Sequence, residues 1–321
     1  MTASSLRRVR VAEIERVADE VKRFRLVDAS GAALPVFSAG SHVIVTMHGA
    51  DGHLWKNPYS LISAPDDGSG YEISVLRTAT SRGGSMFMHD HVHPGTELHI
   101  SEPVNLFPIA RQGRKHILVA GGIGITPFLA MMQELAALNA NFELHYKVRG
   151  IGRAPFCDRL LKEYGSRVHL YRSDLGQAFP LERILSEQPL GTHMYVCGPA
   201  AMINWALQVG RAVGWPQENL HSERFTAPPP GRSFTVKLAR SNRDIVVGPQ
   251  QSILEALEQH GIDAPFLCRG GACGQCETRV VACDGALQHN DHYLTDEEKQ
   301  SGEKIMICVS RAAGSSLTLD L

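Results

Sequence analysis

The chain has 321 residues, about twice the ~150 that serves as a prior for one domain, so two or three domains and a sizeable core are expected. With 43% hydrophobic and 20% charged residues, the composition is that of a globular protein and argues against disordered, collagenous and membrane classes. A formal charge of −1, from 32 Lys+Arg against 33 Asp+Glu, excludes a whole-chain basic field for nucleic acid or anionic lipid.

The opening MTASSLRRVRVAEIERV carries charges where a secretory signal needs an apolar stretch, so no export segment is expected. The longest apolar run, Ile117 to Met132, is interrupted by Gly, Thr and Pro and is shorter than the ~20 residues that span a bilayer; it reads as strand, turn and helix. Five of the seven cysteines crowd between Cys268 and Cys308, which points to local cysteine chemistry rather than a distributed disulfide framework, with a reducing cytoplasm as the expected compartment.

From Arg8 to about Ala110, short alternating runs such as Val43 to Met47, Tyr71 to Leu76 and Glu97 to Ile100 are punctuated by Gly, Pro and Asp, the pattern of antiparallel strands in a small barrel or sandwich. Within it, Ser81-Arg82-Gly83-Gly84-Ser85 precedes a helical MFMHD. Two glycines and a hydroxyl at a helix start form a phosphate cradle, with Arg82 or Lys56 as countercharge. The histidines of His89-Asp90-His91-Val92-His93 read as a solvated turn before Pro94-Gly95 and receive no role.

From Lys115 to Phe225, strands alternate with helices: HILVAGG, a helix from Thr126 to Leu138, FELHYKV, a helix around Phe156 to Tyr164, RVHLYRSD, a helix at Leu181 to Leu185, THMYVCG and the helix after Pro199. Such βα units build a parallel sheet. Gly121-Gly122-Ile123-Gly124-Ile125-Thr126-Pro127 lies directly after a strand and opens a helix. There the glycines admit a ligand close to the backbone, Thr126 can cap, Pro127 suits the first turn, and free N–H groups form an anion site for a pyrophosphate. Asp174 can accept from a ribose hydroxyl, while Arg172 and Ser173 beside it can equally hold a 2'-phosphate.

Ala227-Pro228-Pro229-Pro230-Gly231 is a stiff linker by composition, and about ninety residues follow it. This last region carries net −3 against +2 for the rest, an ordinary solvated surface. Its Cys268-Arg269-Gly270-Gly271-Ala272-Cys273-Gly274-Gln275-Cys276, with Cys308 further on, matches the C-x4-C-x2-C…C spacing of plant-type 2Fe-2S ligation. Three thiolates on one loop must converge on a small anionic cluster, and Gly270, Gly271 and Gly274 remove side chains that would keep backbone N–H groups from the sulfurs. Zinc also accepts four cysteines, but structural zinc sites usually present paired short loops. Cys283 reads as a buried free thiol, and Thr295-Asp296-Glu297-Glu298 as a capping box before Cys308.

These motifs carry a resemblance. Residues 232 to 321 are similar to a plant-type ferredoxin domain, and the Gly121–Pro127 turn with Cys197-Gly198-Pro199 resembles the nucleotide turns of the ferredoxin-NADP reductase superfamily. Asn57-Pro58-Tyr59-Ser60 resembles that superfamily's flavin motif, with Asn57 where an Arg normally meets phosphate. The RGGS at Arg82–Ser85, together with the order barrel, dinucleotide domain, ferredoxin, resembles the phthalate dioxygenase reductase family, which includes the reductases of vanillate-type demethylases and uses FMN.

The resemblance implies a multidomain fold: an antiparallel β-barrel flavin domain at 1–111, an α/β parallel-sheet NAD(P)H domain at 112–227 and an α+β plant-type ferredoxin domain at 228–321. It implies FMN held by Asn57, Tyr59, Ser60, Val75, Arg77, Arg82, Gly83, Gly84, Ser85 and Phe225. It implies NADH, with NADPH as the alternative, at Gly122, Gly124, Thr126, Asp174, Cys197, Gly198 and Pro199, and a 2Fe-2S cluster on Cys268, Cys273, Cys276 and Cys308. Ser60 and Cys197 would tune hydride transfer rather than act as acid or base. A hydride donor and a one-electron cluster need a two-to-one electron converter, which a flavin supplies. The expected activity is electron transfer from NAD(P)H to a partner Rieske-type oxygenase or demethylase. The alternatives are a stand-alone flavin or quinone reductase and a non-catalytic zinc or redox-sensing module.

Overall fold

Apolar side chains alternating with Arg23 and Arg25 put Phe24 and Leu26 on one face of their strand, and the same period of two shapes the first hundred residues. The computed structural model describes residues 6–49, 52–78 and 82–321. The strands are β1 Arg7–Ala18, β2 Val21–Asp28, β3 Ser41–His48, β4 Leu54–Ser60 and β5 Tyr71–Leu76, followed by helix α1 Gly84–Asp90, then β6 Glu97–Ile100 and β7 Val104–Asn105. They pair antiparallel in the order β4-β3-β6-β1-β2-β5, with β7 on β3. Leu61 bridges antiparallel to Ile73 and the Ile62 N–H donates to the Glu72 carbonyl at 2.9 Å. The two ends of the order thus meet, and the sheet closes around Val9, Phe24, Val43, Val45 and Ile73. Closure removes the exposed strand edge.

Next come β8 Lys115–Gly121, α2 Thr126–Ala137, β9 Phe142–Val148, α3 Cys157–Tyr164, β10 Val168–Arg172, α4 Leu181–Ser186, β11 Thr192–Cys197, α5 Ala200–Ala212 and β12 Leu220–Glu223. The strands form a wholly parallel sheet in the order β10-β9-β8-β11-β12. Residues of α2 and α3 pack with one face of it, and residues of α4 and α5 with Ile117, Val119, Met194 and Val196 on the other, the covering that parallel strands require. The barrel and this sheet share a core in which Ala39, Ile62 and Phe107 pack with Phe128 and Leu129. Gln133 also donates to the Ile62 carbonyl at 3.1 Å, and the Ala39 N–H to Glu134 at 3.1 Å. The chain accordingly divides into two units, one ending at Arg224 and one from Phe225 to Leu321.

The second unit holds β13 Phe234–Leu238, β14 Arg243–Val247, α6 Ile253–Gln259, β15 Glu277–Cys283, β16 Leu287–Gln288, α7 Asp296–Ser301, β17 Lys304–Met306, β18 Arg311–Ala312 and β19 Ser316–Leu319. Its mixed sheet runs β14-β13-β19-β15-β17, with α6 residues Ile253, Leu254 and Leu257 in the same core. The capping box foreseen at Thr295 is present, Glu298 N–H donating to the Thr295 hydroxyl at 3.2 Å. A second one, Ser252 with Glu255, starts α6. The fully buried Arg311 donates to the carbonyls of Gln251, Arg232 and Gly248 and lies over the Phe234 ring. It thereby ties the segment after the prolines to the core.

One sequence expectation fails here. His89 is not in a solvated turn: it is buried in the last turn of α1, its Nε2 is 2.8 Å from the Val75 carbonyl, and burial lowers its pKa. Among the described residues no helix is long and apolar enough to cross a membrane.

Candidate functional site: two ligand cradles and a four-thiol centre

On β4, alternation sends Trp55, Asn57 and Tyr59 to one face. The Arg82–Ser85 loop packs there: the Trp55 indole donates to the Arg82 carbonyl at 2.8 Å, and Asn57 donates to the Tyr59 hydroxyl at 3.2 Å. Gly83 caps α1 at φ 103°, a conformation L side chains avoid, and a Cβ on Gly84 would lie 2.4 Å from the Asn57 amide. Burial pushes the Tyr59 phenol up to about 12, against the smaller pull of Asn57. The Ser85 hydroxyl accepts from the Thr78 N–H at 3.3 Å, while Ser81 lies outside the described residues.

The Ser60 hydroxyl, at the end of β4, is buried and has no hydrogen-bond partner among the described residues, an orphan that a ligand polar atom would satisfy. Val75 is buried on β5, and Arg77 just beyond it pairs with Asp90 at 3.1 Å. Phe225 is half exposed as the first residue of the second unit. Trp55 was not foreseen, because only the strand alternation places it under the loop. A flavin phosphate at the Gly83–Ser85 turn and a flavin polar edge at Ser60 fit these residues.

The second cradle stands at the carboxyl ends of β8 and β11, where parallel sheets bind ligands. A Cβ on Gly124 would lie 2.3 Å from the Cys197 carbonyl oxygen, and one on Gly198 would lie 3.0 Å from the Gly121 Cα, so the two turns touch backbone to backbone. The Tyr146 hydroxyl donates to the Gly122 carbonyl at 3.0 Å and pins the first turn from β9. Thr126 does not cap: its hydroxyl donates back to the Ile123 carbonyl at 3.0 Å, because a 3-10 turn over Gly122–Ile125 runs straight into α2. Pro127 does sit in the first turn of α2, and Pro199 precedes α5. Gly122 has open space on its Cβ side, so the cradle admits a dinucleotide backbone.

Cys197 is fully buried, and burial with the neighbouring Glu223 raises its pKa well above the ordinary thiol value, so it is a neutral thiol. Glu223 stands directly opposite on β12, its carboxyl pushed up to about 8 by burial. Sequence reading passed over Glu223, because only the parallel register reveals the pairing. Asp174 is held by Arg172 through two contacts, at 2.8 and 3.2 Å, and that partner keeps its carboxyl below the usual range. The two charges therefore act as one pair at the end of β10.

In the second unit the four predicted thiols converge. Cys276 and Cys308 sulfurs are 3.2 Å apart, and Cys268 hydrogen-bonds with both Cys273 and Cys308. Hydrogen bonds from Cys273, Cys308 and the Ala272 and Gly270 N–H groups lower the Cys268 pKa, while the contacts with Cys268 and Cys276 raise that of Cys308. Proton-sharing thiols at this spacing are a soft, anionic donor set, which fits a 2Fe-2S cluster and would release protons on loading.

The loop glycines serve two purposes. Gly271 and Gly274 sit at φ 72° and 77°, their Cβ positions filled by Val309 with Asp291 and by the Tyr293 ring, whereas a Cβ on Gly270 would meet only the Cys268 carbonyl oxygen, at 3.7 Å. Gly271 and Gly274 let the loop lie against Asp291 and Tyr293, while the Gly270 N–H reaches the Cys268 sulfur at 3.3 Å. Arg269, buried in the left-handed region at φ 53°, pairs with Glu258 on α6 and covers the Phe266 ring at 4.4 Å. Cys283 is only half buried on β15 and outside this group.

Residues 236–313 match the family described as a 2Fe-2S iron-sulfur cluster binding domain, and residues 101–220 match that of the dimethylamine monooxygenase subunit DmmA-like, N-terminal domain. The carnitine monooxygenase reductase subunit of Acinetobacter baumannii is 45% identical over 97% of this chain and 96% of its own length. The heme-dependent oxidative N-demethylase beta subunit of Ectopseudomonas mendocina is 44% identical over 99% of this chain and all of its own. The solved structure of phthalate dioxygenase reductase, described as a modular structure for electron transfer from pyridine nucleotides to [2Fe-2S], superposes with a TM-score of 0.88. It is 34% identical and covers 99% of this chain and 98% of its own.

Proposed function

The chain belongs to the phthalate dioxygenase reductase family, and on that premise we propose that it carries electrons from NADH through FMN and a 2Fe-2S cluster to a Rieske-type oxygenase that oxidises an amine. The observation that carries this reading is the convergence of Cys268, Cys273, Cys276 and Cys308 in a chain that also holds the paired turns at Gly121–Pro127 and Cys197–Pro199. Bound FMN would supply the conversion of a two-electron hydride into single electrons, and a bound 2Fe-2S cluster would supply one-electron transfer.

The chain's residues would bind and orient. Gly83, Gly84 and Ser85, with Arg82, would receive the FMN phosphate, and Asn57 and Tyr59 would line the flavin beside them. Ser60 would hydrogen-bond the flavin edge through the hydroxyl that lacks a partner among the described residues, with Val75 and Arg77 along the ring. Gly122 and Gly124 would receive the pyrophosphate, Cys197-Gly198-Pro199 the nicotinamide end, and the Asp174–Arg172 pair the adenosine ribose. None of these would act as acid or base: Cys197, buried and neutral, would adjoin the nicotinamide end without taking a proton. The division at 1–111, 112–227 and 228–321 is part of this proposal.

An amine substrate for the partner is favoured by the names of the carnitine monooxygenase and N-demethylase relatives and of the dimethylamine monooxygenase family. Uncrosslinked cysteines favour the cytoplasm. Coexpression with a candidate Rieske-type oxygenase from the same genome tests the proposal. NADH-dependent loss of a methylated or quaternary amine, dependent on both proteins, is expected. Rapid NADH turnover with free flavin or quinone and no product from any oxygenase would overturn it in favour of a stand-alone reductase.

A further inference from the structure

On the α4 side of the parallel sheet, halfway along the strands rather than at the nucleotide turns, three potential metal ligands meet. His145 on β9 and His169 on β10 are directly opposite in the parallel register, and their rings stack with centroids 4.8 Å apart. Glu143, two residues before His145 and hence on the same face, places its Oε2 3.4 Å from the His145 Nε2. The ligand atoms of the three residues all lie within 4.8 Å of one another. We propose that Glu143, His145 and His169 form a binding site for a divalent transition-metal ion of the zinc type, which would tie the edge strand β10 to β9.

Three features support it. Two imidazoles with one carboxylate are the donor set that zinc accepts at a site with an open fourth position. The other nitrogen of His145, Nδ1, is 3.0 Å from the Tyr171 hydroxyl. A hydrogen bond from Nδ1 to that oxygen leaves the Nε2 lone pair facing Glu143, the arrangement by which outer partners fix the tautomer of a ligating histidine. Finally, the set is roofed and accessible: Phe179 stacks on the buried His145 ring, while His169 and Glu143 are only partly buried. Zinc bonds of about 2.0–2.1 Å put ligands nearer together than the present spread, so metal binding requires the two less buried side chains, Glu143 and His169, to rotate. Lys115 holds the other Glu143 oxygen at 2.7 Å, a competing cation that sets a moderate affinity and leaves Oε2 available.

The test uses the holoprotein with its flavin and iron-sulfur cluster in place, so that the cysteines are occupied. After dialysis against a mild chelator, zinc chloride is added at equilibrium and bound metal is measured alongside the zinc X-ray absorption spectrum. Wild type is expected to bind one zinc more than Glu143→Gln or His169→Asn, with an imidazole and oxygen shell and no sulfur. Tyr171→Phe is expected to weaken the site about tenfold, and Lys115→Met to tighten it, neither of which a purely structural role of these side chains would produce. Both ligand variants change partly exposed positions, and retained flavin and iron content reports that they fold. Equal zinc stoichiometry in wild type and both variants, or a sulfur shell, overturns the proposal.

Discussion

Glu223 faces Cys197 directly across the β11–β12 pair, and its Oε2 is buried without a hydrogen-bond partner among the described residues. The carboxyl titrates at about 8 in the folded protein against an ordinary 4.5. Between these values the native state keeps a proton that the unfolded chain has released, so this group makes folding less favourable as pH rises, by at most ~1.4 kcal/mol per unit. Glu223→Gln removes that penalty. Its stability advantage over wild type is expected to grow from pH 5 to pH 8 and then level off in thermal melts. Parallel pH curves for the two proteins would mean that Glu223 ionises normally.

Gly124 leaves no room for a side chain, since a Cβ would meet the Cys197 carbonyl oxygen at 2.3 Å. Gly124 lies in a tight turn and Cys197 ends a central strand of the sheet, so neither yields freely. Gly124→Ala is expected to destabilise the first unit by about 1–3 kcal/mol and to raise the KM for NADH at least tenfold while flavin content stays normal. Steady-state kinetics with ferricyanide as acceptor measures it, and an unchanged KM would remove Gly124 from the nucleotide cradle.

His116, His193 and His221 stack in a row at the amino ends of β8, β11 and β12, with Tyr195 against His221. His193 and His221 share a hydrogen bond at 2.9 Å. Burial, with the neighbouring imidazoles, lowers His116 and His221 to about 4. The unfolded chain takes protons at about 6.5 and the folded one resists until about 4. Stability is therefore full above 6.5 and lost as pH falls through that window, by at most ~3 kcal/mol for each group. His116→Phe, which keeps the stacking and removes one titration, is expected to flatten the acid limb of a urea midpoint against pH profile between pH 6.5 and 4.

Arg269 holds the cysteine loop to α6 through Glu258 while itself in the left-handed region. Arg269→Ala is expected to cost about 3 kcal/mol, the scale for breaking a largely buried ion pair, and to shorten the lifetime of the cluster, followed as loss of visible absorbance in chelator. Cluster loss at the wild-type rate would show the pair to be incidental to the loop.

What the sequence revealed followed from how local the signal was. The cysteine loop, the glycine turns and the order of strands and helices are contiguous, so spacing alone brought out the thiols that converge in space. Glu223, Tyr146, Trp55 and the His145–His169 pair act through strand register, which spacing does not carry. Thr126 failed as a cap because the preceding glycines themselves wound into a 3-10 turn, a choice made by packing against Cys197. His89 failed as a surface residue because α1 folds its ring onto the Val75 carbonyl. The barrel and the parallel sheet, distinct in pattern, share one core through Phe107 and Phe128, which no local motif signals.

The central claim is that hydride is accepted in the first unit and single electrons leave from the four-thiol centre in the second. Anaerobic titration of the purified protein with NADH, comparing wild type with Cys273→Ser, measures it. Wild type should hold iron and sulfide and take up one electron more than its flavin alone requires, with rapid reduction of cytochrome c. Cys273→Ser should lose that extra electron and the cytochrome c activity while NADH still bleaches the flavin. Equal electron uptake by the two proteins, or a reconstituted wild type without iron and sulfide, would contradict the account.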